Sequence, residues 1–291
     1  MTVLGKSLMV IFISMSLFLV APAVTGGAEL IGPPGPVAQG EVVQLLVKGV
    51  KDGDRVKGVW REQPLEFFKL AEEEYFSLLG IDMRLSPGAY PLEVQVDSPV
   101  NSLQTSSTNI RVVKQDYGVQ RLTLPEKMVT LDPTTLKRVR REAAKFSELW
   151  YKHTPKRYWH GNFVRPVPGK LSTPFGLGRI LNGEPRSPHS GVDLRAKLGE
   201  PVRAANDGRI VLVGDFYFHG TAVVIDHGWG LYSMYFHLSK ANVSEGDLVG
   251  KNYVIGLAGS TGRATGPHLH WGVRLGGARV DPFALMRVTT E

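Results

Sequence analysis

Two histidines flank one leucine in Gly266-Pro267-His268-Leu269-His270-Trp271. On an extended strand residues i and i+2 face the same side, so both imidazoles would enter one cavity while Leu269 packs behind them. A second group lies in Pro188-His189-Ser190-Gly191-Val192-Asp193. Pro188, Gly191 and β-branched Val192 argue against a helix there, and in an extended segment i and i+4 also share a face, which lets His189 and Asp193 converge. Two histidines and a carboxylate make an open zinc set, because zinc takes N and O ligands at about 2.0–2.2 Å and a catalytic site leaves the fourth position free. The spacing alone offers His189, Asp193 and one of His268 or His270 as ligands. The other histidine of the pair then sits beside the metal. His237, in Tyr235-Phe236-His237-Leu238 at the end of an aromatic strand, is a further candidate for moving protons.

The chain has no cysteine, which excludes disulfides, a cysteine nucleophile and lipid attachment through an N-terminal cysteine. Neither an H-E-x-x-H zinc helix nor a G-x-S-x-G nucleophile elbow is present. Any enzymatic chemistry must therefore come from histidine, aspartate, glutamate, serine or a metal, with serine hydrolysis the weaker reading. His219 and His227 stand beside turn glycines and read as structural.

These residues need strands to aim them. From Gly161 onward the chain is glycine-punctuated β-structure, with candidate strands at Pro201–Ala205, Gly208–Val213, Ala222–Asp226, Leu231–Phe236 and Tyr253–Ala258. Short alternating runs between Ala28 and Lys114, separated by turns such as Lys51-Asp-Gly-Asp54 and Ser86-Pro-Gly88, predict a small Ig-like β-sandwich. Between the two, Asp132-Pro133 is an N-cap followed by proline at the first helical position. Leu136, Val139, Ala143, Phe146 and Trp150 then recur at helical spacing, placing a helix over 133–152 with Arg138, Arg140, Arg141 and Lys145 on its solvated side. The fold class is mainly β. The expected domains are a signal peptide at 1–23, an accessory β-sandwich at 24–115, a helix-containing linker at 116–160 and a catalytic β-domain at 161–291.

Lys6, the apolar run Leu8–Val20 and Ala21-Pro22-Ala23 have the order of a secretory signal with its cleavage site. The run is short for a membrane span of about 20 residues, so the only membrane contact expected is through an uncleaved N-terminal segment. The net charge of +7 suits an anionic polymer. No basic helix or aromatic–basic ladder is present, so nucleic acid is not expected as a partner. Oligomeric state is not encoded in any pattern found.

Pro188–Asp193, Tyr235–Leu238 and Gly259–Trp271 resemble, in order, the motifs of the lysostaphin/LytM-type zinc endopeptidases. Ser172-Thr-Pro-Phe-Gly176 resembles the lead-in strand of that family, and Val243–Val249 its hairpin between the second and third motifs. The likeness covers roughly residues 161–286. It implies a compact antiparallel β-domain in the periplasm or cell envelope, one zinc ion per chain, and cleavage of peptide cross-links between peptidoglycan stems. It makes His189, Asp193 and His270 the zinc ligands and His237 and His268 the catalytic pair. Gly176 to Pro188 lacks the tyrosine that some members carry before the first ligand. The rival reading is a non-hydrolytic envelope protein of the same fold that binds peptidoglycan or regulates another hydrolase. A lipoyl-type carrier domain, suggested by Glu245–Lys251, fits the histidine set poorly.

Overall fold

A computed structural model describes residues 27–99, 103–123, 131–150, 152 and 154–288. The expected signal segment lies outside the described residues. The fold is mainly β, with the two helices among the described residues at Pro133–Trp150 and Pro282–Arg287.

Alternation builds the N-terminal module. In Gly88–Asp97, Leu92, Val94 and Val96 are buried while Glu93 and Gln95 face water. This strand lies in a five-stranded sheet ordered Val37–Ala38, Gln104–Val113, Gly88–Asp97, Arg55–Trp60, Gln63–Glu66. Facing it is a four-stranded sheet of Glu29–Ile31, Val42–Lys48, Glu74–Gly80 and Phe68–Ala71. Leu45, Leu79, Leu92 and Ile110 meet between the sheets in the expected sandwich core.

Glu74–Gly80 breaks the alternation, since every residue from Phe76 to Gly80 is buried. One of its faces belongs to the sandwich. The other face, with Phe76 and Leu78, joins a single core with Trp159, Leu231, Val273 and Leu275 of the C-terminal half. A nearly continuous apolar run is what a strand covered on both faces requires. Gly80 sits where a side chain would strike the Leu275 carbonyl at 2.8 Å. Asp82 fastens the junction by accepting hydrogen bonds from the Arg279 backbone N–H and guanidinium at 2.8–2.9 Å.

The C-terminal sheet runs, in spatial order, Leu171–Thr173, Gly191–Arg195, His268–Leu275, Leu231–Ala241, Gly220–Gly228, Gly208–Phe216 and Leu248–Val249, all antiparallel. Pro201–Arg203 and Val254–Ala258 pair beside this path, and Ala278–Val280 pairs with His268–Leu275. The hairpin Gly178–Leu181/Glu184–Arg186 turns at Asn182-Gly183, both at positive φ, as a two-residue type I′ turn requires. Val119–Leu122, ahead of the helix, runs parallel to Gly178–Leu181.

The helix is capped as expected, with Asp132 accepting from Thr134 N–H and Thr135 N–H. Its buried face differs from the apolar stripe. Glu142, Phe146 and Leu149 are buried, whereas Leu136 and Ala143 are exposed. Glu142 turns inward because its carboxylate accepts from Tyr217 N–H at 2.8 Å and from Arg138 Nε at 2.6 Å. Arg138 is thus engaged and also reaches Asp215 at 3.3 Å. Phe146 packs against Phe216, Phe236 and His219, which docks the helix behind the strands that carry the histidines.

Candidate metal and catalytic site

Strand register brings the histidines and carboxylate together. Asp193 on Gly191–Arg195 lies directly opposite His270 on His268–Leu275, and Phe236 on Leu231–Ala241 lies opposite His270 from the other side. His189 precedes its strand, held where its N–H donates to Leu177 O and its carbonyl accepts from Gly176 N–H. Gly191 leaves room for this meeting, because a Cβ there would lie 2.5 Å from the Trp271 carbonyl and 2.8 Å from His270 Nε2.

His189 Nε2, Asp193 Oδ1 and His270 Nδ1 form a triangle with sides of 2.9 Å. His189 Nδ1 faces the Pro174 carbonyl at 2.9 Å. A carbonyl only accepts, so the proton sits on Nδ1 and the lone pair of Nε2 points into the triangle. Three electron-rich atoms at that separation repel unless a proton or a cation lies among them. Largely buried, with N and O donors only and one histidine held from behind by a carbonyl, the set could hold a metal ion.

His268 and His237 border the triangle. His268 Nε2 is 3.9 Å from Asp193 Oδ1, and the two rings stand 4.8 Å apart. Each donates Nδ1–H to a backbone carbonyl, His268 to Gly266 at 2.8 Å and His237 to Thr261 at 2.9 Å. In the neutral rings both Nε2 atoms are therefore bare acceptors. His237 reaches the site through a β-bulge. Thr221 pairs with Leu238 and Val223 with Tyr235, so Ala222 opposes both Phe236 and His237. His237 takes φ 64° in the left-handed region. The bulge interrupts alternation, so consecutive side chains join one cluster: Phe236 stacks parallel on His270 at 5.4 Å and His237 faces His268.

Burial alone would raise the Asp193 carboxyl, but the His189 and His270 imidazoles beside it hold it well below the usual carboxylate range. Desolvation pulls His270 down and lowers His237 to about 4, so His237 is neutral at pH 7. His219, packed between Phe146 and Phe236, is lowered by burial to about 3. His227 is a structural histidine, hydrogen-bonded to the Asp207 carbonyl and to Ser233 Oγ, both at 2.7 Å.

All five residues singled out by sequence thus lie in one cluster. Missing from that reading were Phe236, whose ring backs His270, and the carbonyls of Pro174, Thr261 and Gly266. Backbone acceptors leave no mark in residue types. Arg179 also escaped notice, yet its charge acts on both Asp193 and His270.

Residues 187–282 match the family model described as Peptidase family M23. Over 122 residues the chain is 41% identical to the DD-carboxypeptidase/endopeptidase Mpg of Neisseria meningitidis serogroup B, covering 42% of this chain and 28% of that protein. Over 142 residues it is 41% identical to the peptidoglycan DD-endopeptidase ShyA of Vibrio cholerae, covering 45% of this chain and 33% of that protein. The chain thus spans a third or less of the length of these two relatives. A Pseudomonas aeruginosa protein described as a peptidase M23 has a crystal structure that matches with a TM-score of 0.65 at 29% identity, covering 90% of this chain and 93% of that one.

Proposed function

The chain belongs to peptidase family M23 through residues 187–282, and from that premise we propose that it is an exported, zinc-dependent endopeptidase that hydrolyses peptide cross-links of peptidoglycan. The observation that carries this reading is the 2.9 Å triangle of His189 Nε2, Asp193 Oδ1 and His270 Nδ1, bordered by two histidines with bare Nε2 atoms.

His189, Asp193 and His270 would hold zinc, which when bound supplies Lewis acidity to a peptide carbonyl and to the attacking water. His268 adjoins a ligand on the same strand and presents Nε2 toward Asp193, so it takes the proton of the attacking water. His268 then gives that proton to the leaving amine, while His237, neutral and fixed by Thr261, keeps a bare Nε2 beside the attacking water as a second acceptor. Phe236, stacked on His270, keeps water from that ligand's face. The N-terminal sandwich serves as a fixed wall of the catalytic unit, with its Phe76 face built into the peptidase core. The proposed place of action is the periplasm or cell envelope.

The test is digestion of purified peptidoglycan sacculi by the zinc-loaded protein, with mass analysis of the released fragments. Release of cross-link peptides that stops on metal removal and returns with zinc is expected. Equal turnover by a verified metal-free preparation would overturn the assignment.

A further inference from the structure

A like-charge pair stands on the hairpin next to the metal triangle. Arg179 and Arg186 are directly opposite each other across Gly178–Leu181 and Glu184–Arg186. Like charges in that position destabilise a strand pair, so two arginines there need a reason. Neither guanidinium has an ion pair or side-chain hydrogen bond among the described residues. Arg263, on the Gly259–Gly266 loop that supplies the carbonyls for His237 and His268, likewise has no acidic partner among them. Its guanidinium lies 4.1 Å from the Phe218 ring centre.

The three cations sense one another and the site. Arg179 and Arg186 both depress Arg263, after the larger effect of desolvation. Arg179 is half-buried, and desolvation lowers its guanidinium, with Asp193 as the opposing charge. Arg186 and Arg263 are exposed, so Arg179 alone of the three is half-buried, and they form a rim open to solvent. An unpaired, partly desolvated guanidinium is costly unless an anion completes it.

Resting on the peptidase reading above, we propose that Arg179 and Arg186, with Arg263 of the Gly259–Gly266 loop, bind a free carboxylate of the substrate next to the scissile bond and so determine its specificity. Guanidinium forks match a carboxylate in a two-point contact that a neutral peptide cannot supply. The favoured substrate is then a cross-link whose flanking residue keeps a carboxylate, as a diaminopimelate residue does. A neutral oligoglycine bridge is disfavoured.

The experiment uses two purified cross-linked muropeptide dimers that differ only in whether the diaminopimelate carboxylate is free or amidated. Zinc-loaded full-length protein is compared with Arg179→Gln, Arg186→Gln and the double variant, with zinc content measured for each. Amidation should lower kcat/KM of the unsubstituted protein about tenfold to a hundredfold, mostly through KM, as loss of a charge-assisted contact predicts. In the double variant amidation should matter less than twofold, and Arg179→Lys should restore part of the discrimination. Indifference of the unsubstituted protein to amidation, or full discrimination by the double variant, would overturn the proposal. The same dimers are also titrated calorimetrically, so that a protein without hydrolysis still reports on the rim. Carboxylate-selective binding abolished by the double variant would sustain the rim while removing the endopeptidase reading. Binding without such selectivity would refute the rim.

Discussion

Gly191→Ala tests whether the metal group is built by close strand approach. The added Cβ would lie 2.5 Å from the Trp271 carbonyl, 2.8 Å from His270 Nε2 and 2.9 Å from His270 Cε1. Ordinary contacts begin near 3.4 Å, so the shortfall against the carbonyl is about 0.9 Å. That oxygen is backbone in a paired strand and cannot swing aside. Either the Gly191/Gly272 register opens or the His270 ring rotates, and both move Nδ1 out of its triangle with Asp193 and His189. Overpacking of this kind costs about 1–3 kcal/mol of stability. Disturbing the support of a ligand weakens metal affinity about 10–100-fold. Zinc affinity is read by competition with a chromogenic chelator, and stability by denaturant melts of the metal-free protein. Gly35→Ala, where a Cβ meets nothing within 4 Å, is the control. Zinc affinity within twofold of the unsubstituted protein, with a melt matching Gly35→Ala, would refute the packing argument.

Three further outcomes are expected. His270→Ala should abolish stoichiometric zinc binding, whereas His268→Ala should retain zinc yet lose hydrolysis, as metal analysis and sacculus digestion would report; zinc loss from His268→Ala would reverse the two roles. Burial lowers His227 to about 4 from an ordinary 6.5. The unfolded chain therefore binds more protons between those values, and this group's stabilisation grows as pH rises from 4 to 6.5, by roughly 3 kcal/mol in all; melts at pH 4.5 and 7.5 should show that slope reduced in His227→Gln. Asp82→Ala strips Arg279 of its carboxylate contacts and should cost about 1.5–3 kcal/mol, with faster hydrogen exchange at Met83 and Arg279 as the local signature.

The legible parts of the sequence were those where a side-chain pattern meets a backbone period. His268-Leu269-His270 and Leu92, Val94 and Val96 obey strand alternation, and Asp132-Pro133 obeys helix-cap chemistry. Two features escaped because they break a period. His237 itself was singled out, but the bulge that aims it inserts a residue without changing composition. Glu142 occupies the buried helix face because a backbone N–H on Tyr217, 75 residues away, completes it. The Arg179/Arg186 opposition depends on a register that the Asn182-Gly183 turn sets, and neither arginine stands out until the hairpin is closed.

The double-faced strand Glu74–Gly80 bears on how such a protein can be taken apart. The family model matches residues 187–282, inviting the excision of that stretch as a free-standing catalyst. Doing so would discard Trp159 and lay bare the apolar wall of Leu231, Val273 and Leu275 that Phe76, Leu78 and Trp159 now cover. A fragment trimmed to the conserved region should therefore be sticky and prone to self-association. Grafting this catalytic region onto a foreign binding module would succeed only if the graft carried Phe68–Met83 with it. The limit of the family match and the limit of the shared core fall at different places in this chain.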